Sequence, residues 1–185
     1  MSLAAVGAFA ASFVAGIATW TLLEYVLHRF GGHDGTFGPA LRREHLSHHA
    51  RPDTFSTWAK KGSLAALLLG TLAMLLAVIA PVVVAGGVTS GVAATWLAYE
   101  RLHRLIHVRA PRNAYGAWAR RHHLHHHFHP RVNHGVTTAL WDHVFGTHEA
   151  PDVVTVPVRQ AFAFAWLLDD DGALARRWHG TYRLS

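Results

Sequence analysis

The chain has no cysteine, which excludes disulfides, thiolate metal sites and iron–sulfur clusters together. Charge is also sparse. Asp, Glu, Lys and Arg make up 15% of the 185 residues, and no Asp, Glu, Lys, Arg or His occurs from Met1 to Leu23 or from Gly62 to Tyr99. What charge there is leans basic, with a formal net charge of +6 before any of the 17 histidines is counted. A balance of that sign raises nucleic acid or an anionic membrane surface as partner. The placement of the charges decides between them, because all 17 Lys and Arg residues lie in two blocks, Arg29 to Lys61 and Arg101 to Arg183. They flank the uncharged runs as membrane-adjacent segments do, so nucleic acid is not expected as a partner.

Uncharged runs of this length are candidates for membrane spans. Leu3 to Leu23 would extend about 31 Å as a helix, close to one bilayer core. The run from Gly62 to Tyr99 is 38 residues, too long for one crossing, and Pro81 with Gly86-Gly87 stands near its middle. It reads as a helical hairpin, Ser63 to about Ala80 and about Val82 to Tyr99. Three crossings place both basic blocks on one side, which the positive-inside rule makes cytoplasmic. A cleaved leader is disfavoured because the first run continues directly into Glu24-Tyr25-Val26-Leu27-His28 with no small-residue cleavage signal between. The expected fold is therefore all-α: a membrane bundle of about three helices with a histidine-rich helical cap, residues 1–149 forming the main domain. The tail, 150–185, carries AFAFAWLL at Ala161 to Leu168 and is expected to lie at the interface.

The histidines fall in four clusters: HRFGGH from His28, HLSHH from His45, HRLIH from His103, and the run RHHLHHHFHP from Arg121 to Pro130. Residues three and four apart share a helix face, so His45, His48 and His49 are aimed alike, and so are His103 and His107. The fourth cluster admits two registers, His122, His125 and His126, or His123, His126 and His127. His28 and His33 would diverge by about 140° on an ideal helix. Gly31-Gly32 suggests instead that the helix has ended and the chain bends back between them. Ten aligned imidazoles exceed the four to six ligands of one ion and point to two. Glu24, four before His28, and Glu100, three before His103, are placed to hold the outer nitrogen of a ligating ring. His134, His143 and His148 lack clustered spacing and read as structural. His122, His125 and His129 read as spare rings or surface.

Histidine-only sites suit structural zinc, metal transport or oxygen chemistry. Structural zinc needs only four ligands in a small knot, and a transporter would set its ligands at the bilayer midplane, where this chain has none. A pair of irons fits best, since imidazole suits iron and zinc has no redox chemistry. Soluble di-iron bundles mix carboxylates with histidine, whereas this set is nitrogen-rich.

The boxes HRFGGH, HLSHH, HRLIH and HLHHHF, with YE before the third and HGVTTALWDHVFGT after the fourth, resemble the fatty acid hydroxylase and sterol desaturase superfamily over Thr19 to Thr147. The resemblance implies an integral membrane oxygenase with a cytoplasmic two-metal centre, dioxygen as oxidant and a separate electron-transfer protein. Matched residue by residue, it implies His28, His33, His45, His48, His49, His103, His107, His123, His126 and His127 as ligands, and it favours the His123 register. Glu100 stands where relatives often carry Asp, and His134 where they often carry an aromatic. Hydroxylation of a lipid acyl chain is the expected reaction. Carotenoid-ring hydroxylation, lipid desaturation and non-enzymatic metal binding are the competing readings.

Overall fold

The computed structural model describes residues 2–185. Helix α1, Leu3–Val26, runs without a break into a π-helical segment, Leu27–Asp34. Then follow α2, Pro39–Ala50, α3, Trp58–Ile79, α4, Val82–Val108, α5, Ala114–Phe128, and the short α6, Leu140–Val144. The tail holds β1, Val154–Val156, a four-residue helix α7, Val158–Ala161, and β2, Tyr182–Leu184. β1 and β2 pair in parallel, Val154 opposite Tyr182 and Val156 opposite Leu184. Local chemistry sets several of these boundaries. Thr57 accepts from the backbone N–H of Lys60 to start α3, and Asn113 Oδ1 accepts from that of Gly116 to start α5. Pro81 separates α3 from α4. Gly86 and Gly87, expected near the hairpin turn, lie inside α4.

The chain divides into two compact units, Met1–Leu23 with Ser56–Glu100, and Glu24–Phe55 with Arg101–Ser185. The first is built from the apolar runs. Among the described residues three helices are long and apolar enough to cross a membrane, and the protein is an integral membrane protein. α3 buries none of its residues, leaving Leu67 66%, Met74 67% and Val78 83% exposed. Apolar area of that kind is stable facing acyl chains rather than water. Where α1 meets α4 the residues are small. A Cβ on Gly16 would come within 2.2 Å of the Val88 carbonyl oxygen, and one on Gly91 within 2.1 Å of that of Phe13. Backbone contact this close is how helices associate in lipid, where burial of apolar surface offers little drive. Within this unit Glu100 accepts from Lys61 Nζ at 2.5 Å, an ion pair largely withdrawn from solvent.

The second unit is folded around histidine. Its fully buried side chains include His107, His123 and His126 alongside Tyr25, Ile106, Leu124, Phe164 and Leu167. The tail belongs to this unit. Phe164, Trp166 and Leu167 are buried against protein, and of the aromatics in the AFAFAWLL run only Phe162 stays exposed, at 67%. The run that composition places at the lipid interface thus turns Phe164, Trp166 and Leu167 into the protein and leaves Phe162 outside it.

Candidate metal centre

The ten histidines converge as two groups of five. His28, His33, His45, His49 and His126 form one, and His48, His103, His107, His123 and His127 the other. In each, one nitrogen per ring lies within 4.8 Å of all the others. The boxes are thus shared between the groups. In α2 the i, i+4 pair His45 and His49 serves the first and His48 the second. In α5 the pair His123 and His127 serves the second and His126 the first. Residues four apart lie nearly one above the other, while the residue between is rotated to the side, so one H-x-x-H-H box reaches two neighbouring centres. His49 stacks on His127 at 4.2 Å and 15°, and His123 on His126 at 5.9 Å, which ties the groups together.

His28 and His33 meet by a route the helical period did not predict. The helix does not end at Gly31-Gly32 but widens into the π-helical segment. Bonding from i to i+5 brings residues five apart onto one face, and the two rings stand 5.4 Å apart. The glycines serve a different purpose. A Cβ on Gly31 would lie 2.6 Å from Leu41, and one on Gly32 2.8 Å from the ring of His45. They let α2 seat against the segment. Gly35, at φ 79°, then turns the chain.

The nitrogens are spaced for an ion. His45 and His33 face each other Nε2 to Nε2 at 2.9 Å, His33 and His126 at 3.0 Å, His107 and His123 at 3.1 Å, His127 and His123 at 3.1 Å, and His48 and His103 at 3.2 Å. Two imidazole nitrogens bound at right angles to one metal, each about 2.1 Å away, would be about 3.0 Å apart. Nε2 of His28 and of His49 is buried with no hydrogen-bond partner. Orphaned polar atoms carry a desolvation cost of about 1–3 kcal/mol each, which a bound cation would offset.

The outer nitrogens of three rings are fixed by backbone carbonyls. His28 Nδ1 donates to the carbonyl of His134, His126 Nδ1 to that of Val132 at 2.6 Å, and His48 Nδ1 to that of Thr54 at 2.8 Å. Each bond leaves the Nε2 lone pair free for a metal. Burial first, and neighbouring imidazoles second, hold His45 down to about 2 and His49 to about 3, and push His123, His126 and His127 well below the ordinary histidine range. These five rings are neutral donors at neutral pH.

Glu24 was expected to hold His28 directly. It acts one layer further out, accepting from the backbone N–H groups of Val136 and Thr137 and from the Thr137 hydroxyl. The loop it anchors supplies the carbonyl that meets His28. Within that loop Asn133 sits at φ 57°, its side chain bonded to the backbone of Glu149. Gly135 has no room for a side chain, since a Cβ would fall 2.1 Å from the Thr138 carbonyl oxygen. Asp142, fully buried, accepts from the N–H groups of His134 and Gly135, from the Thr147 hydroxyl and from His122 Nε2. Burial works to raise its pKa, but the bonds from His122, Gly135 and Thr147 prevail and hold it below the usual value. Asp142 was not singled out from the sequence. Its signal is the Trp141-Asp142 pair within the stretch that follows the fourth box, far in sequence from His28, the ring it influences through the His134 backbone.

The other histidines have other tasks. His122 bonds Asp142, His125 bonds Glu149, and His143 stacks on His148 at 3.9 Å. The His134 ring lies 5.2 Å from that of His126 and 5.7 Å from that of His28, outside the group of five.

The fold and this centre define a class: membrane proteins with two adjacent all-histidine groups that could hold metal ions. The family model described as fatty acid hydroxylase matches residues 13–147, and the chain belongs to that family. It is 33% identical over 137 residues to the dihydroceramide fatty acyl 2-hydroxylase FAH2 of Arabidopsis thaliana, covering 71% of this chain and 58% of the relative. It is 33% identical over 147 residues to the fatty acid 2-hydroxylase of Macaca fascicularis, covering 75% and 40%. Among solved structures, full-length Scs7p, of which only the hydroxylase domain is visible, superposes with a TM-score of 0.61 at 26% identity, covering 78% of this chain and 57% of that one. The chain spans about half the length of the curated relatives it matches.

Proposed function

We propose that the protein is a lipid hydroxylase acting at carbon 2 of a fatty acyl chain, with two ions, natively iron, held by the ten histidines. The observation that carries this is the pair of five-nitrogen groups, whose 2.9–3.2 Å spacings fit two metal ions of the transition series. The position on the acyl chain comes from the relatives, which are 2-hydroxylases of fatty acids and of the dihydroceramide acyl chain.

A bound pair of irons would supply redox chemistry with dioxygen: one oxygen atom enters the C–H bond, the other leaves as water, and two electrons and two protons are consumed. The chain's own part is placement. His28, His33, His45, His49 and His126 would hold one ion, and His48, His103, His107, His123 and His127 the other. The Val132, His134 and Thr54 carbonyls fix ring orientation, and Glu24 and Asp142 fix the loop behind them. Burial of the second group keeps bulk water from the ions, which limits side reactions. Glu100, paired with Lys61, is a candidate supporting carboxylate at the start of the third box. The electrons would come from a separate redox protein, and the basic flanks support a cytoplasmic site.

The test is lipid analysis by mass spectrometry in cells expressing the intact chain or its His126→Ala variant. Acyl chains heavier by one oxygen at carbon 2, present only with the intact protein, are the expected result. Oxygen inserted elsewhere, or a double bond, would overturn the assigned reaction.

A further inference from the structure

Residues 150–185 lie beyond the segment that matches the family, 13–147, yet three of their side chains reach residues of the two histidine groups. Gln160 Nε2 donates to the carbonyl of His49 at 3.0 Å. Trp166 Nε1 donates to the carbonyls of Ile106 and His107 at 3.1 and 3.0 Å. The Phe164 ring, 0% exposed, stacks on His107 at 5.3 Å and 26° and meets His127 edge-on at 6.4 Å. α2 ends at Ala50 and α4 at Val108, so these carbonyls are among the last four of their helices, which have no partner within the helix. A segment that merely filled space would touch the helices anywhere. The tail also meets Phe128 and Arg121, but the contacts of Gln160, Phe164 and Trp166 bear on His49 of one group and on His107 and His127 of the other.

His107 depends on such support, for its Nδ1 is buried without a hydrogen-bond partner. Its orientation rests on its backbone and on the rings packed around it. Phe164 lies flat against it, and Phe55 stands edge-on at 5.5 Å. The segment is itself held in place. Trp178 Nε1 donates to the Trp166 carbonyl at 2.9 Å, Trp166 packs edge-on against Tyr182, and the Arg120 guanidinium lies over Trp166 at 5.7 Å. The same guanidinium donates to the carbonyls of Leu105 and Arg109.

We propose that the tail is a strap that sets metal affinity, with Phe164 and Trp166 as positioning residues for His107 and the second ion, and Gln160 as the positioning residue for His49 and the first. The proposal rests on the two-metal reading above. Partners that orient ligands from outside are worth about 10–100-fold in affinity, and the strap supplies them from a region the family match does not include.

The test uses the full chain in detergent, stripped of metal and titrated with Co2+ against a competing chelator, following the visible ligand-field absorption. Two equivalents should bind to the intact protein. Phe164→Ala and Trp166→Phe should weaken one equivalent by about tenfold or more and leave the other within about twofold, whereas Gln160→Leu should weaken the other equivalent. If Phe164→Ala does not fold, Phe164→Leu, which keeps apolar volume but loses the flat ring face, carries the same comparison. Equal weakening of both equivalents, as from general loosening, or no weakening at all, overturns the strap. Failure of the intact protein to bind two equivalents overturns the two-metal reading instead.

Discussion

Each histidine group contains five imidazole donors, and the two are held by different physics. Around the first, hydrogen bonds dominate: His28 and His126 each spend the outer nitrogen on a loop carbonyl, and that loop is fastened by Glu24, Asn133 and Asp142. Around the second, rings and burial dominate. His107, His123 and His127 have buried outer nitrogens with no hydrogen-bond partner, and Phe55 and Phe164 pack on His107. Exposure divides the same way. His33, His45 and His49 of the first group are partly exposed, whereas all five rings of the second are buried, His48 the least so at 9% exposed. Hydrogen bonds to the outer nitrogen raise the basicity of a ligand and fix its tautomer, while an apolar shell limits solvent access. Two ions held in such surroundings would not be equivalent: the first would have the better-oriented and wetter site, the second the drier one.

The largest effect that separates the groups is expected at Asp142, which touches no ligand. Asp142→Asn keeps the shape but replaces one acceptor oxygen with a donor amide facing N–H groups, so the His134 carbonyl loses its fixed position before His28. The first ion should bind about 10–100-fold more weakly while the second is unchanged; chelator competition reads both. The variant also predicts a pH signature. The carboxyl of Asp142 is held below its ordinary value in the folded protein, so its contribution to stability is complete above the unfolded pKa, about 3.9, and is lost as pH falls toward the folded one. The stabilities of Asp142→Asn and parent should therefore converge below about pH 4. A gap that widened in acid would contradict the sign of that shift.

How much of this was legible beforehand follows from what kind of contact is involved. The three long helices could be read from uncharged runs because lipid imposes a composition on every residue of a span. The box spacing could be read because imidazoles three and four apart share a helix face. The π-helical segment could not, since a single change of hydrogen-bond register leaves no mark in the residues and Gly31-Gly32 looks like a helix end. The carbonyls of Thr54, Val132 and His134 are backbone atoms present at every position, so their use is a matter of tertiary placement alone. The burial of the tail's aromatics could not be read for a related reason. Apolar composition says that Phe164 and Trp166 avoid water, not whether lipid or protein shelters them.

A smaller effect should appear in the rate at which ions leave. On addition of a chelator to the protein loaded with two ions, release should occur in two phases, with the faster phase from the first group. Solvent and chelator reach His33, His45 and His49 more readily than the enclosed rings of His103, His107, His123 and His127. His45→Ala should abolish the faster phase and keep the slower. A single phase for both ions, or loss of the slower phase in that variant, would erase the distinction between the wet site and the dry one.

The smallest effect is expected at His179, and it bounds the comparison. This ring is exposed, on the tail, with Nε2 3.2 Å from the Leu174 carbonyl and no place in either group. Substitutions at surface positions of this kind usually change stability by about 0.5 kcal/mol or less. His179→Ala should leave metal content, both release phases and activity as they are. The tail's influence on the ions then passes through its buried side chains, because a histidine that merely supplied nitrogen to the solution near the site would have no effect to lose. Should metal content fall in this variant, imidazole count and not placement would govern loading, and the division of the ten rings into two distinct surroundings would lose its physical basis.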